Sequence, residues 1–333
     1  MTTDTAAELD LLDRKILNVV QTAIPLVETP YAAVAESVGA PEEEVLKRLT
    51  DLRSKHVLRQ MSAIFDTRRL GYKSSLVAMR FRPERLPEGA RVINEHPGVS
   101  HNYERTHEYN LWFTLAVPPA ETLDRTVEEL ARKSGAEAYR MLPTIHFFKV
   151  GVNFDMMTEE TSAFDYSPSA VEGWQSPLPL TDFDIACIRE LQGDLPAEHR
   201  PFKGMAERLG VTEAQLLAKA RELIDRKIMR RFSAVLHHRR AGFKANVMVV
   251  WKVPKEKGEE IGKIMASFPQ VSHCYQRPTY PDWLYSHFTM VHAVTRQRCE
   301  EIALRISQKT GITDYAMLFS VREWKKTRVK YFM

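Results

Sequence analysis

Residues 45–73 of this chain, VLKRLTDLRSKHVLRQMSAIFDTRRLGYK, return at residues 216–244 as LLAKARELIDRKIMRRFSAVLHHRRAGFK, an offset of 171 residues from 45 to 216. Nine of the 29 aligned positions are identical. VSHNYER at 99–105 also returns as VSHCYQR at 271–277, and AYRML at 138–142 returns as DYAML at 314–318. The chain is therefore predicted to be a tandem duplication, which we divide into copy 1 and copy 2.

The composition is that of an ordinary globular protein. Of the 333 residues, 44% are hydrophobic and 27% are charged, and the formal net charge of +4 names no partner. No apolar run is long enough for a membrane span, and the acidic start MTTDTAAELD is unlike a signal peptide, so we expect no membrane association. The cysteines Cys187, Cys274 and Cys299 are scattered without a CxxC spacing. This argues against a disulfide framework or a zinc site and favours a cytoplasmic protein with free thiols.

Three short helices are predicted to open each copy. In copy 1, apolar residues recur at helical spacing over 9–23. A second helix at about 31–38 is ended by Gly39, and a third begins near Pro41 and runs to about 54. Three short helices with a glycine in the turn before the third indicate a helix-turn-helix unit.

Alternating segments rich in β-branched and apolar residues follow these helices, at VLRQMSAIFD and KSSLVAMRF on either side of the RRLGY turn. A helix at about 87–95, the strands VSHNYER and NLWFTLAV, a helix at PAETLDRTVEELARKSG and a last strand at about 139–150 complete copy 1. The order β-β-α-β-β-α-β predicts an α+β sandwich with a mainly antiparallel sheet.

A helix-turn-helix unit followed by a ferredoxin-like α+β domain resembles the Lrp/AsnC regulators, and each copy has both parts. The predicted boundaries are 1–60 and 61–152 in copy 1, 153–179 for an aperiodic linker, and 180–231 and 232–333 in copy 2. The strings RQMSAIFDTRRLGYKSSLVA, HPGVSHNYER-x-H-x-YNLWFT and LPTIHFFKVGV are more specifically similar to sirohaem decarboxylases. These enzymes occur as two homologous subunits or as one fused chain.

The resemblance implies a carboxy-lyase whose substrate is sirohaem, an iron tetrapyrrole with eight carboxylates. Removal of the carboxyl groups of two acetate side chains would give didecarboxysirohaem, which leads towards haem or the specialised haem of a nitrite reductase. The chain has no thiamine, pyridoxal or metal motif, so the tetrapyrrole must itself accept the electrons of the broken bond. We therefore expect no cofactor beyond the iron that the substrate carries.

Two alternatives to this enzyme are a transcriptional regulator and a tetrapyrrole carrier without turnover. A helix-turn-helix places the start of its recognition helix against DNA. In copy 1 that segment contains Glu42, Glu43 and Glu44, and copy 2 has Glu213 and no cation there. These carboxylates oppose the phosphate charge, so the sequence disfavours DNA as a partner. The helical units are predicted instead to act as scaffold and dimerisation surface, and a homodimer of the fused chain remains open.

A pocket for this substrate needs an apolar floor and a rim of cations, because carboxylates bind arginine strongly. Five cations of copy 1 recur in copy 2. The predicted substrate-binding cations are Arg59, Arg68, Arg69, Lys73 and Arg105 in copy 1, and Arg230, Arg239, Arg240, Lys244 and Arg277 in copy 2. Tyr103, Tyr275 and His273 are added to this set, because they belong to the repeated His-x-Tyr-x-Arg strand.

The proton that replaces the lost carboxyl group is best supplied by histidine, whose pKa is nearest neutrality. His101 is the first candidate, since His101, Tyr103 and Arg105 share one face of a strand. His146 in LPTIHFFKVG is the second, and its copy 2 counterpart is Arg322, so the copies are predicted to differ. His101 or His273 could instead ligate the substrate iron. The weaker candidates are His107, His287 and His292, and the sequence leaves one or two working pockets open.

Overall fold

The computed structural model describes residues 9–150, 153–154, 161–162, 173, 176–236 and 245–333. Three residues of the predicted cation set, Arg239, Arg240 and Lys244, lie outside the described residues, as does most of the predicted linker. Within the described ranges, no helix has the length and apolar character needed to cross a membrane.

Both copies follow the predicted order of helices and strands. The helices of copy 1 are α1 (Leu11–Thr22), α2 (Pro30–Val38), α3 (Glu42–Ser54), α4 (Leu86–Glu95) and α5 (Leu123–Ser134). Its strands are β1 (Leu58–Phe65), β2 (Lys73–Arg80), β3 (Val99–Arg105), β4 (Leu111–Val117), β5 (Ala138–Leu142) and β6 (His146–Val150), with the short pair β7 (Asn153–Phe154) and β8 (Thr161–Ser162) after them.

Copy 2 repeats this order over the second half of the chain. Its helices are α6 (Asp182–Leu191), α7 (Lys203–Leu209), α8 (Glu213–Asp225), α9 (Gly258–Ala266) and α10 (Arg296–Thr310). Its strands are β9 (Met229–Leu236), β10 (Ala245–Trp251), β11 (Val271–Gln276), β12 (His287–Ala293) and β13 (Tyr315–Lys326).

Capping residues determine where the helices of the helix-turn-helix units begin and end. Asp10 caps α1 and Thr181 caps α6, each in a reciprocal capping box with the aspartate three residues later. Gly39 and Gly210 follow α2 and α7 with φ of 72° and 68°, a left-handed conformation that glycine adopts without strain. The two units share one hydrophobic core with β1 and β9, which pair antiparallel between the copies.

The α+β domains of the two copies share one nine-stranded sheet. Its strand order is β5-β2-β4-β3-β13-β10-β12-β11-β6, and neighbouring strands run antiparallel. Helices α4 and α5 cover the copy 1 half, and α9 and α10 cover the copy 2 half. The predicted α+β class, with a tandem repeat and an antiparallel sheet, is confirmed.

The last strand of each copy crosses into the other copy's half of the sheet. β13 pairs first with β10 and then with β3, and β6 pairs with β11. The sequence predicts one strand over 139–150, but Pro143 divides it into β5 and β6, because proline has no N–H for the ladder. Phe319 occupies the equivalent position in copy 2, where β13 is continuous. Strand β1 pairs with β9 of the other copy, outside the nine-stranded sheet.

Candidate functional site

A cavity of about 980 Å³ lies between the nine-stranded sheet and the β1–β9 pair. This volume is at the upper end of the range of about 300–1,000 Å³ that is usual for ligand pockets. Both copies contribute apolar side chains to its wall, among them Leu76, Trp112, Met248, Phe288 and Met290. The cavity therefore has the size and the apolar surface that a flat macrocycle requires.

The repeated His-x-Tyr-x-Arg motif faces this cavity from both copies. Alternate residues of a strand point to the same face, so the three side chains of β3 and their equivalents in and after β11 lie together. Seven predicted site residues line the cavity: Arg59, His101, Tyr103, Arg105, His273, Tyr275 and Arg277.

Arg105 and Arg277 also bind the main chain of the other copy. The Nη1 atom of Arg105 donates to the carbonyl of Leu318 at 2.9 Å, and Nη1 of Arg277 donates to the carbonyl of Leu142. Burial lowers the pKa of each arginine to about 10, so both remain charged at neutral pH. Each arginine therefore joins the copies while presenting its side chain to the cavity.

Arg277→Met is expected to lower the free energy of unfolding by about 1–3 kcal/mol, because the buried carbonyl of Leu142 loses its donor. Urea unfolding of the purified chain measures this loss. Arg322→Met is the matched control, since Arg322 is exposed on β13 and stacks on Trp324 at 3.8 Å. We expect the control to change stability by less than about 0.5 kcal/mol. Equal stability of the two variants would contradict the assigned role of Arg277.

His101 and His273 are held in similar surroundings. Nδ1 of His101 lies 3.1 Å from Oγ of Ser100, and Nδ1 of His273 lies 3.0 Å from Oγ of Ser272. Burial lowers the pKa of both imidazoles to about 4, with further lowering at His101 from cations that include Lys326. Both rings are therefore neutral at pH 7 in this state, the form in which imidazole binds a metal or accepts a proton.

A third histidine, His292 of β12, also lines the cavity. Burial, followed by electrostatic interactions with His273, Lys326 and Arg105, lowers its pKa to about 3. Copy 1 has Ala116 at the equivalent position, so the repeat gave this histidine little weight. The sequence did contain one signal for it. His292 follows Phe288 and Met290 at every second position of β12, so the three side chains share one face of that strand. The two halves of the cavity therefore differ at this position.

Asp66 binds two of the predicted rim arginines. Nη2 of Arg230 lies 2.8 Å from its carboxylate, and Nη2 of Arg68 lies 3.1 Å from it. Burial alone would raise the pKa of Asp66, but the two guanidinium groups more than offset burial and hold the pKa below its usual range. Arg68 also stacks on Phe147 at 4.3 Å. Both arginines thus lie in contacts that join β1 to β9 and β6, outside the cavity lining.

Three further predicted residues lie elsewhere among the described part of the chain. Nη1 of Arg69 donates to the carbonyl of Gly173 at 3.0 Å, and Lys73 is exposed on β2. The ring of His146 lies 4.4 Å from that of Phe148, and burial lowers the pKa of His146. The structure does not bring these three side chains to the cavity lining that it describes.

Four cations that the sequence did not single out also line the cavity. Arg231 lies on β9, where copy 1 has Gln60, and the other three belong to the run KKTRVK at 325–330. These three are Lys326, Arg328 and Lys330. The concentration of basic residues near the C-terminus was the signal for them.

Metal-ligating side chains do not cluster in the described ranges, where no group of three or more His, Cys, Asp and Glu is placed to hold an ion. The thiols of Cys187, Cys274 and Cys299 are buried and free. Burial raises the pKa of Cys187 to about 11 and that of Cys299 to about 11, so these thiols stay protonated and unreactive.

Family models match both copies of the chain. The AsnC-like ligand binding domain matches residues 69–149 and 240–325, and the siroheme decarboxylase NirDL-like HTH domain matches residues 13–59 and 184–230. The siroheme decarboxylase of Hydrogenobacter thermophilus is 41% identical over 325 residues, which cover 96% of this chain and 94% of that protein. The siroheme decarboxylase beta subunit of Methanosarcina barkeri is 48% identical over 147 residues, or 44% of this chain and 97% of that subunit.

Solved structures agree with these matches. The crystal structure of the siroheme decarboxylase NirDL in co-complex with an iron-uroporphyrin III analogue is 37% identical and has a TM-score of 0.74, with 97% of this chain and 95% of that chain covered. The similarity thus extends over both copies. The chain belongs to the sirohaem decarboxylase family.

Proposed function

We propose that this chain decarboxylates sirohaem at two acetate side chains and releases didecarboxysirohaem. The observation that carries the proposal is the cavity between the copies, which combines apolar walls with several cations. A macrocycle fringed with carboxylates needs both, because apolar walls bury the ring and guanidinium groups bind the carboxylates. The relative NirDL was solved with a ligand of this chemical class, an iron-uroporphyrin III analogue.

The reaction breaks the bond between the carboxylate carbon and the methylene carbon of an acetate side chain. Carbon dioxide leaves, and the electron pair stays on the methylene carbon, where the macrocycle delocalises it. A proton then converts the methylene carbon to a methyl group. The reaction is redox-neutral, so it needs no oxidant or reductant, and we propose no cofactor beyond the substrate iron.

We propose His101 as the proton donor. The ligand of the substrate iron would then be His273, the other histidine considered for that role. His101 is neutral in the free protein, because burial and the charges of Lys326 and Arg59 lower its pKa to about 4. Substrate carboxylates would neutralise these cations and raise the pKa of His101. The histidine would thus become protonated as the substrate binds.

Binding of iron uroporphyrin III at pH 7 is therefore expected to take up protons from the buffer. Titration calorimetry in two buffers with different ionisation enthalpies measures the number of protons. His101→Gln should take up fewer protons than the wild-type chain. Equal proton uptake by the two proteins would remove His101 from the proposed linkage.

The helix-turn-helix units are proposed to act as scaffold rather than as DNA readers. Glu42 at the start of α3 lies 2.9 Å from Nδ1 of His199, a residue of the other copy. Glu213 at the start of α8 lies 2.7 Å from Arg200, which also lies 2.7 Å from Glu28 of copy 1. A DNA reader needs these helix starts in the major groove. Here the helix starts form ion pairs between the two helix-turn-helix units instead, which supports a role as an enzyme over a role as a DNA-binding regulator.

Anaerobic incubation of the purified full-length chain with sirohaem, followed by mass analysis of the tetrapyrrole, tests the proposed function. We expect the loss of two carboxyl groups as carbon dioxide, with no change in a protein-free incubation. A tetrapyrrole that binds but keeps its mass would make the protein a carrier. Sequence-specific DNA binding without tetrapyrrole binding would make it a regulator. Either result would overturn the proposed activity.

A further inference from the structure

The C-terminal tail, residues 327–333, runs along the cavity from the end of β13 to the helix-turn-helix core. Near its start, the N–H of Thr327 donates to the carbonyl of Ser100 at 2.6 Å. Near its end, the N–H of Tyr331 donates to the side chain of Gln192 at 2.8 Å. The tail is thus bound at both ends, and the residues between form part of the cavity wall.

Arg328 lies in the middle of this tail, and one of its two terminal guanidinium nitrogens, Nη1, is hydrogen-bonded to β1. Nη1 donates to Oγ of Ser62 and, at 3.1 Å, to the carbonyl of Ala63, both on β1. Nη2 is buried and has no hydrogen-bond partner in the part of the chain that the structure describes. A buried charged donor without an acceptor is costly, so an acceptor on a bound ligand would stabilise it. The hydrogen bonds of Nη1 to β1 fix the orientation of the guanidinium group and therefore of Nη2.

Arg59 of β1 also lines the cavity, and its charge acts on both Arg328 and His101. It makes no hydrogen bond or ion pair with the residues that the structure describes. Burial, together with the charges of Arg231 and Arg59, lowers the pKa of Arg328 to about 10, so it remains a cation at neutral pH. Asp194, an acid whose charge acts on Arg328, binds Arg53 at 2.9 Å. Within the described ranges, Arg59 and Arg328 therefore have no acid paired with them, and they give this end of the cavity positive charge.

We infer that Arg59 and Arg328 together bind one substrate carboxylate beside His101, and that this carboxylate is not the one that leaves. The inference rests on the proposed function for the identity of the substrate. Guanidinium groups hold negative charge on the carboxylate oxygens, whereas decarboxylation moves that charge to carbon. Binding of the leaving carboxylate would stabilise the ground state more than the transition state. The pair is thus an anchor that places a neighbouring acetate near His101.

Equilibrium binding of iron uroporphyrin III, followed by absorbance, tests the anchor without requiring turnover. Arg328→Gln and Arg59→Gln are each expected to raise Kd by about tenfold or more, the effect of one lost charge-assisted hydrogen bond. The double variant should raise Kd by less than the product of the two effects, because both arginines bind one group. Arg322→Gln, on the exposed part of β13, is the matched control with unchanged Kd.

Kinetics with sirohaem separate an anchor from a group that acts in the chemical step. Arg328→Gln should raise KM and keep kcat at saturating sirohaem. A wild-type Kd in Arg328→Gln, fully multiplicative effects in the double variant, or a lowered kcat with unchanged Kd would each overturn the inference. If Arg328→Gln fails to fold, Arg59→Gln and Arg328→Lys carry the same comparison. Failure of the wild-type chain to decarboxylate sirohaem would overturn the proposed function and leave the binding result interpretable.

Discussion

His101→Ala is expected to lower kcat for sirohaem decarboxylation by about 10²–10⁴-fold, the usual contribution of a positioned general acid. The imidazole lies on β3 in the cavity, and Ser100 fixes its orientation through Nδ1. Without it, the carbanion formed by loss of carbon dioxide must take its proton from water. Anaerobic single-turnover experiments with sirohaem measure the rate of the chemical step directly.

Tetrapyrrole binding should survive the same substitution. The apolar walls and the cations of the cavity remain in His101→Ala, so we expect Kd for iron uroporphyrin III to stay close to the wild-type value. A wild-type kcat in this variant would exclude His101 as the proton donor. Loss of binding together with activity would instead indicate that His101 ligates the iron.

His146→Ala distinguishes the second candidate for the proton donor. The ring of His146 packs on Phe148, and the residue is not among the described residues that line the cavity. We therefore expect its kcat to match that of the wild-type chain. A large loss of kcat in His146→Ala, with activity retained in His101→Ala, would move the assignment to His146.

Local patterns made the fold and one part of the site predictable. Gly39 and Pro41 mark the helix-turn-helix, and the period of two along β3 placed His101, Tyr103 and Arg105 on one face. These signals depend on residues close together in the chain. Such patterns predict a helix or a strand and the residues on each of its faces. They do not depend on which other segment that helix or strand packs against.

Contacts between distant segments were not predictable from the sequence. The pairing of β6 with β11 and of β13 with β3 depends on how the two copies meet. Asp66 binds Arg68 and Arg230, but copy 2 has His237 at the position of Asp66. The repeat therefore gave no reason to separate these arginines from the cations of the cavity.

The free energy of unfolding is expected to fall steeply as pH decreases from about 7 to 5. The folded pKa is about 4 for His101, about 4 for His273 and about 3 for His292, all below the usual value of 6.5. The unfolded chain therefore binds more protons than the folded chain in this window. The stability from the neutral rings is complete above pH 6.5 and is lost as pH falls through the folded pKa values. The loss is about 2 kcal/mol for each histidine by pH 5.

Urea unfolding at pH 7.5 and pH 5 measures this dependence. His292→Ala, which gives copy 2 the residue that copy 1 has at Ala116, should lose about 2 kcal/mol less between the two pH values. His56→Asn is the control, because His56 is exposed and its φ of 54° is tolerated by asparagine. The control should retain the wild-type pH dependence. If His292→Ala retains it as well, His292 is not held neutral in the fold.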